Sequence, residues 1–369
     1  MTTFVALAHR FLSGRPTVQI RSIAWSVFSR IGTLALAAVA AAVGAPVPAQ
    51  ASQAVEDFFK GKTINIYVGF GPGGSYDYYP RAFARYMGKY VPGNPAIAVQ
   101  NMPGAGSMLA ANYVFNVAPK DGTALGVAAQ TMMLEEAMGG AAVKFKSAEF
   151  NWIGRMTSVL EVMVLREGAK AKSIEDITKY ETIAGGTGPA SPTEGYPRLL
   201  NKFGGAKFRI VSGYKSVTEI MLAMDRGEAD AVENSMSSLM RIRAEDLASG
   251  KMWVLVQAAL ERSPTLPNVP TLIEFGKDEK AKAALAFYTS SAAVSRPLFA
   301  SPGVPAERVK ALRDAFNATA KDPDLLAEVS KAQVEFDPAP GEFLQELAQK
   351  VAATPKEIVE LAKQAVNPD

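Results

Sequence analysis

The sequence predicts an α/β protein of two doubly wound lobes, and three observations carry that prediction. Short apolar runs of strand character alternate with helical patterns over brief links, as in a parallel, doubly wound sheet. The same local order of strand, Gly/Pro turn, serine and helix recurs after residues 63, 96 and 181. Two predominantly apolar runs, Val159–Leu165 and Met252–Ala258, stand where a chain would leave one lobe and return to it.

Residues 1–51 are expected to be an export leader rather than part of the fold. Arg10, Arg15, Arg21 and Arg30 form a basic region without an acid, Ile31–Val43 is a 13-residue apolar run, and Ala49-Gln50-Ala51 fits an A-x-A cleavage site. That run is too short to span a bilayer, and no cysteine follows it to accept a lipid. Losing the leader takes Lys+Arg from 39 to 35 against 36 Asp+Glu, so the charge moves from +3 to −1. A nucleic-acid partner therefore has no electrostatic support.

The remaining 318 residues suit two lobes of ordinary size. Lobe one is expected over 52–158, lobe two over 159–257, and a return to lobe one over 258–369.

The first unit has a charge-free strand, Thr63–Phe70, then Gly71-Pro72-Gly73-Gly74-Ser75 and a helix with Tyr79, Phe83, Tyr86, Met87 and Tyr90 on one face. Glycines let backbone amides approach a ligand, Ser75 or Asp77 can cap the helix, and Pro80 is tolerable in its first turn. Free amides at the positive end of a helix dipole make an anion site. A second strand, Ala96–Gln100, leads through Asn101–Ser107 into another helix, and Thr123–Ala129 is a buried strand ending at Gln130-Thr131. In the middle segment Ser173 starts a helix, Glu181–Ala184 is a strand, and Gly186-Thr187-Gly188-Pro189-Ala190-Ser191 is a third glycine turn before a helix. Lys207–Ser212 is the next strand, with Tyr214 and Lys215 after it, and Ser216-Val217-Thr218-Glu219 is an S-x-x-E capping box. Ala229–Val232 is a strand with Glu233-Asn234-Ser235 at its carboxyl end. The tail holds a strand near Ser290–Val294 and amphipathic helices over Ala306–Ala320 and Glu342–Ala352.

The lone histidine, His9, lies in the leader, and there is no cysteine. The mature chain thus lacks the parts for a Ser-His-Asp or Cys-His site, a histidine or thiolate zinc site, a disulfide or a redox pair. No cofactor is expected. Gly69-x-Gly71-x-x-Gly74 satisfies the dinucleotide fingerprint, but the second strand ends in Gln100-Asn101 where a ribose-binding acid is required. A purely structural turn and a small-anion site both remain open for it.

Taken together, a set of ordered motifs resembles the Bug, or TctC-like, receptors of tripartite tricarboxylate transporters. They are Gly69-Phe70-Gly71-Pro72-Gly73-Gly74-Ser75-Tyr76-Asp77, the Asn101–Ser107 turn, Ala118-Pro119-Lys120-Asp121-Gly122-Thr123-Ala124-Leu125, Gly186-Thr187-Gly188-Pro189, Tyr214-Lys215-Ser216, Pro267–Gly276 and Pro302-Gly303-Val304-Pro305. The resemblance implies a type II periplasmic-binding-protein fold that closes on a carboxylate held mainly by backbone amides and waters, a role that needs no arginine. It places Gly71–Ser75 and Asp77 in one jaw and Gly186–Ser191 in the other, and implies a periplasmic, monomeric receptor serving a membrane permease. Pro189 stands where the family has serine, and Ser216 where it has glycine.

Several residues carry two readings. Tyr76, Tyr78 and Tyr79 rim a pocket or pack between lobes; Asn101 and Asn234 face a ligand crevice or stabilise turns. Tyr214 and Lys215 line the cleft, or Lys215 is a solvated charge; Met132, Met133 and Met138 read as core. Gln130, at a strand end, joins the expected ligand-binding set with Asn101, Tyr214 and Asn234. Two other classes stand beside the receptor: a secreted enzyme using Asp77, Glu135 or Glu233, which needs two facing acids roughly 5 to 10 Å apart, and an interaction protein without a ligand.

Overall fold

The computed structural model describes residues 47–366; of the leader expected over residues 1–51, residues 1–46 lie outside them. The chain enters through α1 (Val47–Phe59), which contains Ala49-Gln50-Ala51 in its first turn. The first lobe then builds β1 (Thr63–Val68), α2 (Ser75–Met87), β2 (Ala96–Asn101), α3 (Met108–Asn116), β3 (Ala124–Val127), α4 (Met132–Ala137) and β4 (Asn151–Arg155). The second follows with β5 (Glu161–Arg166), α5 (Ile174–Lys179), β6 (Thr182–Gly185), α6 (Pro192–Gly204), β7 (Phe208–Val211), α7 (Val217–Asp225), β8 (Ala231–Ser235), α8 (Met236–Ile242), α9 (Ala244–Ala248) and β9 (Met252–Ala258). The tail adds α10 (Glu279–Thr289), β10 (Pro297–Ala300), α11 (Ala306–Thr319), α12 (Pro323–Lys331), β11 (Ala339–Pro340), α13 (Gly341–Ala352) and α14 (Lys356–Val366).

Both sheets share one order. The first runs β11-β4-β10-β3-β1-β2 and the second β7-β6-β8-β5-β9. In each, three strands are parallel, and a strand that has just crossed from the other lobe is inserted antiparallel beside the third: β10 in one sheet and β5 in the other. This is the two-lobed type II periplasmic-binding-protein fold expected from the sequence. The inserted strand β5 is buried on both faces, since Val162 and Val164 enter one apolar cluster while Met163 and Leu165 enter the other. That explains why its sequence shows an apolar run rather than alternation.

The strand expected at Ser290–Val294 is displaced. Ser290–Ala293 is a single 3-10 turn continuing α10, with the Ser290 hydroxyl donating to Phe287 O at 2.6 Å. The chain reverses at Ser295, φ +44°, and only then enters β10, with Pro297 at its first position where a ladder donor is dispensable. The second passage between sheets thus falls between β9 and β10, and residues 272–289 pack near α6 of the second lobe. A third passage follows: α13 lies on β4, while α14 lies on α6 and α10.

Candidate ligand-binding site

The turn after β1 is held from behind. Asp77, in the first turn of α2, accepts from Gly73 N (3.1 Å), Asn101 Nδ2 (2.8 Å) and Arg81 Nε (2.9 Å). Asn101 Nδ2 also donates to Phe70 O. Burial pushes the Asp77 carboxyl up, but the bonds from Arg81, Asn101 and Gly73 outweigh it and hold the group below its ordinary value. Gly73 sits at φ +97°, a conformation that side chains disfavour. With the Gly73 amide engaged and the Asp77 and Tyr78 amides bonded to Gly74 O, the amides of Gly74, Ser75 and Tyr76 are left at the head of α2 without an acceptor. Gly74 caps the helix with no side chain of its own.

The facing loop is wired differently. Gly186 N donates to Val211 O, Thr187 N to Thr193 Oγ1, Gly188 N to Glu194 Oε1 and Ser191 N to Gly188 O. Glu194, fully buried, also accepts from Ser212 Oγ and pairs with Arg198 at 2.8 Å. Across the cleft this loop meets the Asn101–Ser107 turn: a methyl at Gly188 would stand 2.3 Å from Gly106 N, and Gly106 N donates to Thr187 O. Thr131 Oγ1 donates to Ala190 O at 2.5 Å, Gly71 N to Lys215 O at 2.7 Å, and Arg241 Nη2 to Gly73 O at 3.1 Å. The two lobes are therefore in direct contact.

Between them lies a cavity of ≈ 30 Å³ open to the centre of a water molecule. Three helix starts converge on it: Gly74 and Ser75 of α2, Ser191, Pro192 and Thr193 of α6, and Ser216 and Val217 of α7. Tyr76 and Arg296 form part of its lining from the first lobe, and Glu233 and Asn234 from the end of β8. Arg296, 1% exposed, lies 4.3 Å from the Tyr76 ring centre, donates to Ser75 Oγ and pairs with Glu161 at 2.6 Å. Arg296 immediately precedes the inserted strand β10 and Glu161 opens the inserted strand β5, so this ion pair ties the two strands that follow the crossings. Burial works against the Arg296 charge, but Glu161 and its neighbours carry its pKa above the ordinary value. Glu233 is pushed well above its ordinary range by burial and by the adjacent Glu161 carboxyl. Three buried polar atoms around this cluster have no partner: Asn234 Nδ2, Arg296 Nε and Glu161 Oε2.

Of the residues singled out in the sequence, Gly71, Gly74, Ser75, Ser191 and Asn234 line this cavity. Pro72 and Gly73 form its shoulder, under Arg241. Asp77 and Asn101 brace the turn from behind. Gln130 lies beneath, bonded to Tyr76, Tyr196 and Arg296. Gly186, Thr187, Gly188, Pro189 and Ala190 make the interlobe wall behind Ser191, and Tyr214 is half-buried with its amide on Gly186 O. Of the tyrosines, Tyr76 faces the cavity, Tyr79 is buried and donates to Glu335 O, and Tyr78 lies under the Arg241 guanidinium. Arg296 was invisible to motif reading, because its partner is 135 residues away. The available signal was a lone charge in the apolar stretch Ala292–Ala300.

Two lobes of matching strand order, closed on a cavity at converging helix starts, define a type II periplasmic binding protein. The profile of the TctC, or tripartite tricarboxylate transporter family receptor, matches residues 81–363, and the chain belongs to that family. A "UPF0065 protein in gbd 5'region" from Cupriavidus necator is 28% identical over 259 residues, spanning 67% of this chain and 73% of its own length. Among solved structures, the periplasmic binding protein BugD superposes with a TM-score of 0.64 at 19% identity, covering 82% of this chain and 97% of its own. MatC from Rhodopseudomonas palustris with bound malate gives 0.64 at 21% identity over 81% and 99%. An R. palustris protein with adipate gives 0.62 at 17% identity over 82% and 97%. At these identities the superpositions establish the fold. No helix among the described residues is long and apolar enough to cross a membrane.

Proposed function

We propose that this chain is an exported, monomeric receptor that captures a small organic carboxylate between its lobes in the periplasm and delivers it to the permease subunits of a tripartite tricarboxylate transporter, without catalysing a reaction. The observation that carries this reading is the convergence of three helix starts and the Arg296 guanidinium on one interlobe cavity. Each helix start presents the positive end of a dipole, and that of α2 adds uncommitted amides, a setting that favours anions. The Gly74, Ser75 and Tyr76 amides and Asn234 Nδ2 are donors waiting for an acceptor. Malate and adipate, held by two relatives of this fold, are acids of the size and charge such a cavity would take once the lobes part. The geometry gives less support to carboxylate catalysis: Asp77 is spent on the turn, Glu135 does not line the cavity, and Glu233, which does, stands against the carboxyl of Glu161, itself paired with Arg296.

The test is thermal unfolding of the purified protein against a panel of mono-, di- and tricarboxylates, with native mass spectrometry for a retained ligand. A bound carboxylate raises Tm by linkage, by the equivalent of about 2.7 kcal/mol at a hundredfold excess over Kd. A protein that carries no ligand and is stabilised by none of the panel overturns the reading.

A further inference from the structure

The helix starts account for an anionic group, but they leave one wall of the cavity unexplained. That wall is acidic. Glu233, 5% exposed, lines the cavity beside Asn234, and the Glu161 carboxyl lies against it diagonally across the antiparallel β5–β8 ladder, where Glu161 pairs with Ser235 and Glu233 with Met163. Glu161 spends Oε1 on Arg296, while its Oε2 is buried and receives no donor. Burial and the adjacent Glu161 carboxyl push Glu233 well above its ordinary range, in the direction that lets Glu233 act as a partner for the unpaired Glu161 Oε2. Arg296 and Glu161 form an ion pair, and Glu233 offers the cavity an acceptor oxygen. An anion placed against that oxygen would meet an acceptor with nothing to donate. A hydroxyl or ammonium would meet a partner.

Building on the carboxylate reading above, we propose that Glu233 is the specificity-determining residue of the cleft, selecting carboxylates that bear a hydrogen-bond donor on the carbon next to a carboxyl group over plain dicarboxylates. The anionic group sits at the head of α2 near Ser75, and the donor points across the cleft to Glu233. Asn234 Nδ2, unpartnered beside it, supplies the complementary donor for a carboxylate oxygen. The carboxylate is thereby fixed at one end by amides and read at the other by an acceptor. A buried acceptor left without a donor is costly, so discrimination comes mainly from rejecting the wrong ligand.

The experiment uses full-length mature protein and two matched series, succinate, malate and aspartate, and adipate, 2-hydroxyadipate and 2-aminoadipate, with Kd measured by calorimetry. In the wild type a donor-bearing member of one series binds about tenfold or more tightly than its plain parent. Glu233→Met, similar in length but without an oxygen, brings that ratio to about one; Glu233→Gln, which keeps a carbonyl acceptor, retains the preference for the hydroxyl acid. Hydroxyl and ammonium members separate the two donor chemistries. Unliganded melting curves identify a variant that fails to fold, and the Gln variant then decides alone: its loss of the preference overturns the proposal. Plain parents binding as well as their substituted partners, or a ratio unchanged in Glu233→Met, overturn this inference and leave the carboxylate reading intact. Failure of all six, and of the wider panel, overturns both.

Discussion

The two glycine turns on either lobe of the cleft have the same local order in sequence and opposite roles in space. The turn at Gly71–Ser75 ends with three amides uncommitted at the head of α2, while Gly186, Thr187, Gly188 and Ser191 all donate within their own lobe. The difference lies in what stands behind each. Asp77 takes only the Gly73 amide and leaves the next three, whereas Glu194 and Thr193 reach back from α6 and consume the loop's donors. A strand, glycine turn and helix therefore creates the possibility of an anion site. The second-row acid or hydroxyl decides whether it is a site or a brace.

That contrast can be broken at several points. The largest effect is expected at Arg296, which joins the two halves: Arg296→Met leaves Glu161 as a buried charge without its partner, and the loss of 3–5 kcal/mol typical of such a change should appear as a lower urea midpoint together with loss of carboxylate stabilisation. Next is Glu135, behind the cleft, which burial pushes up to about 7 against the influence of Arg198. Because the protonated form is the one the fold prefers, its contribution is complete below pH 4.5 and is lost as the pH rises to about 7. A shift of that size corresponds to about 3 kcal/mol, so Glu135→Gln should flatten the pH dependence of stability in that window, and an unchanged profile would discount the shift. Glu194→Ala tests the brace: it removes the acceptor of Gly188 N, Ser212 Oγ and Arg198, at a cost of about 2–3 kcal/mol by chemical denaturation. Smallest is Gly74→Ala, at φ −81° with nothing within 4 Å of the added methyl. It should cost under about 1 kcal/mol. If Glu194→Ala and Gly74→Ala cost the same, the two turns do not differ as described.

Much of the fold could be read from the chain because its local signals agree with its packing. The first strand falls within a residue or two of its expected span, α2 begins at Ser75, and the Ser216 hydroxyl accepts from Glu219 N at 3.3 Å, half of the expected capping box, while the Glu219 carboxylate turns to Lys215 N instead of Ser216 N. What could not be read was non-local. β10 owes its conformation to insertion between β3 and β4, and its four residues carry no period of their own. Motif logic puts the ligand contacts of the second lobe's glycine turn on Gly186–Ser191, of which Ser191 lines the cavity. Which amides were free depended on Glu194 and Ser212, 18 residues apart, and no short pattern encodes that. Arg296 is the same case at greater range.

The three passages of the chain between the sheets carry a mechanical meaning. A pair of strands joining two bodies permits bending and also twist; a third tether, set off to the side where α14 rests on α6 and α10, resists the twist and leaves the bend. A movement of the lobes that keeps all three tethers is expected to be a bend rather than a twist. Arg296 and Glu161 stand at the starts of β10 and β5, so their ion pair joins the two strands that the first two passages enter.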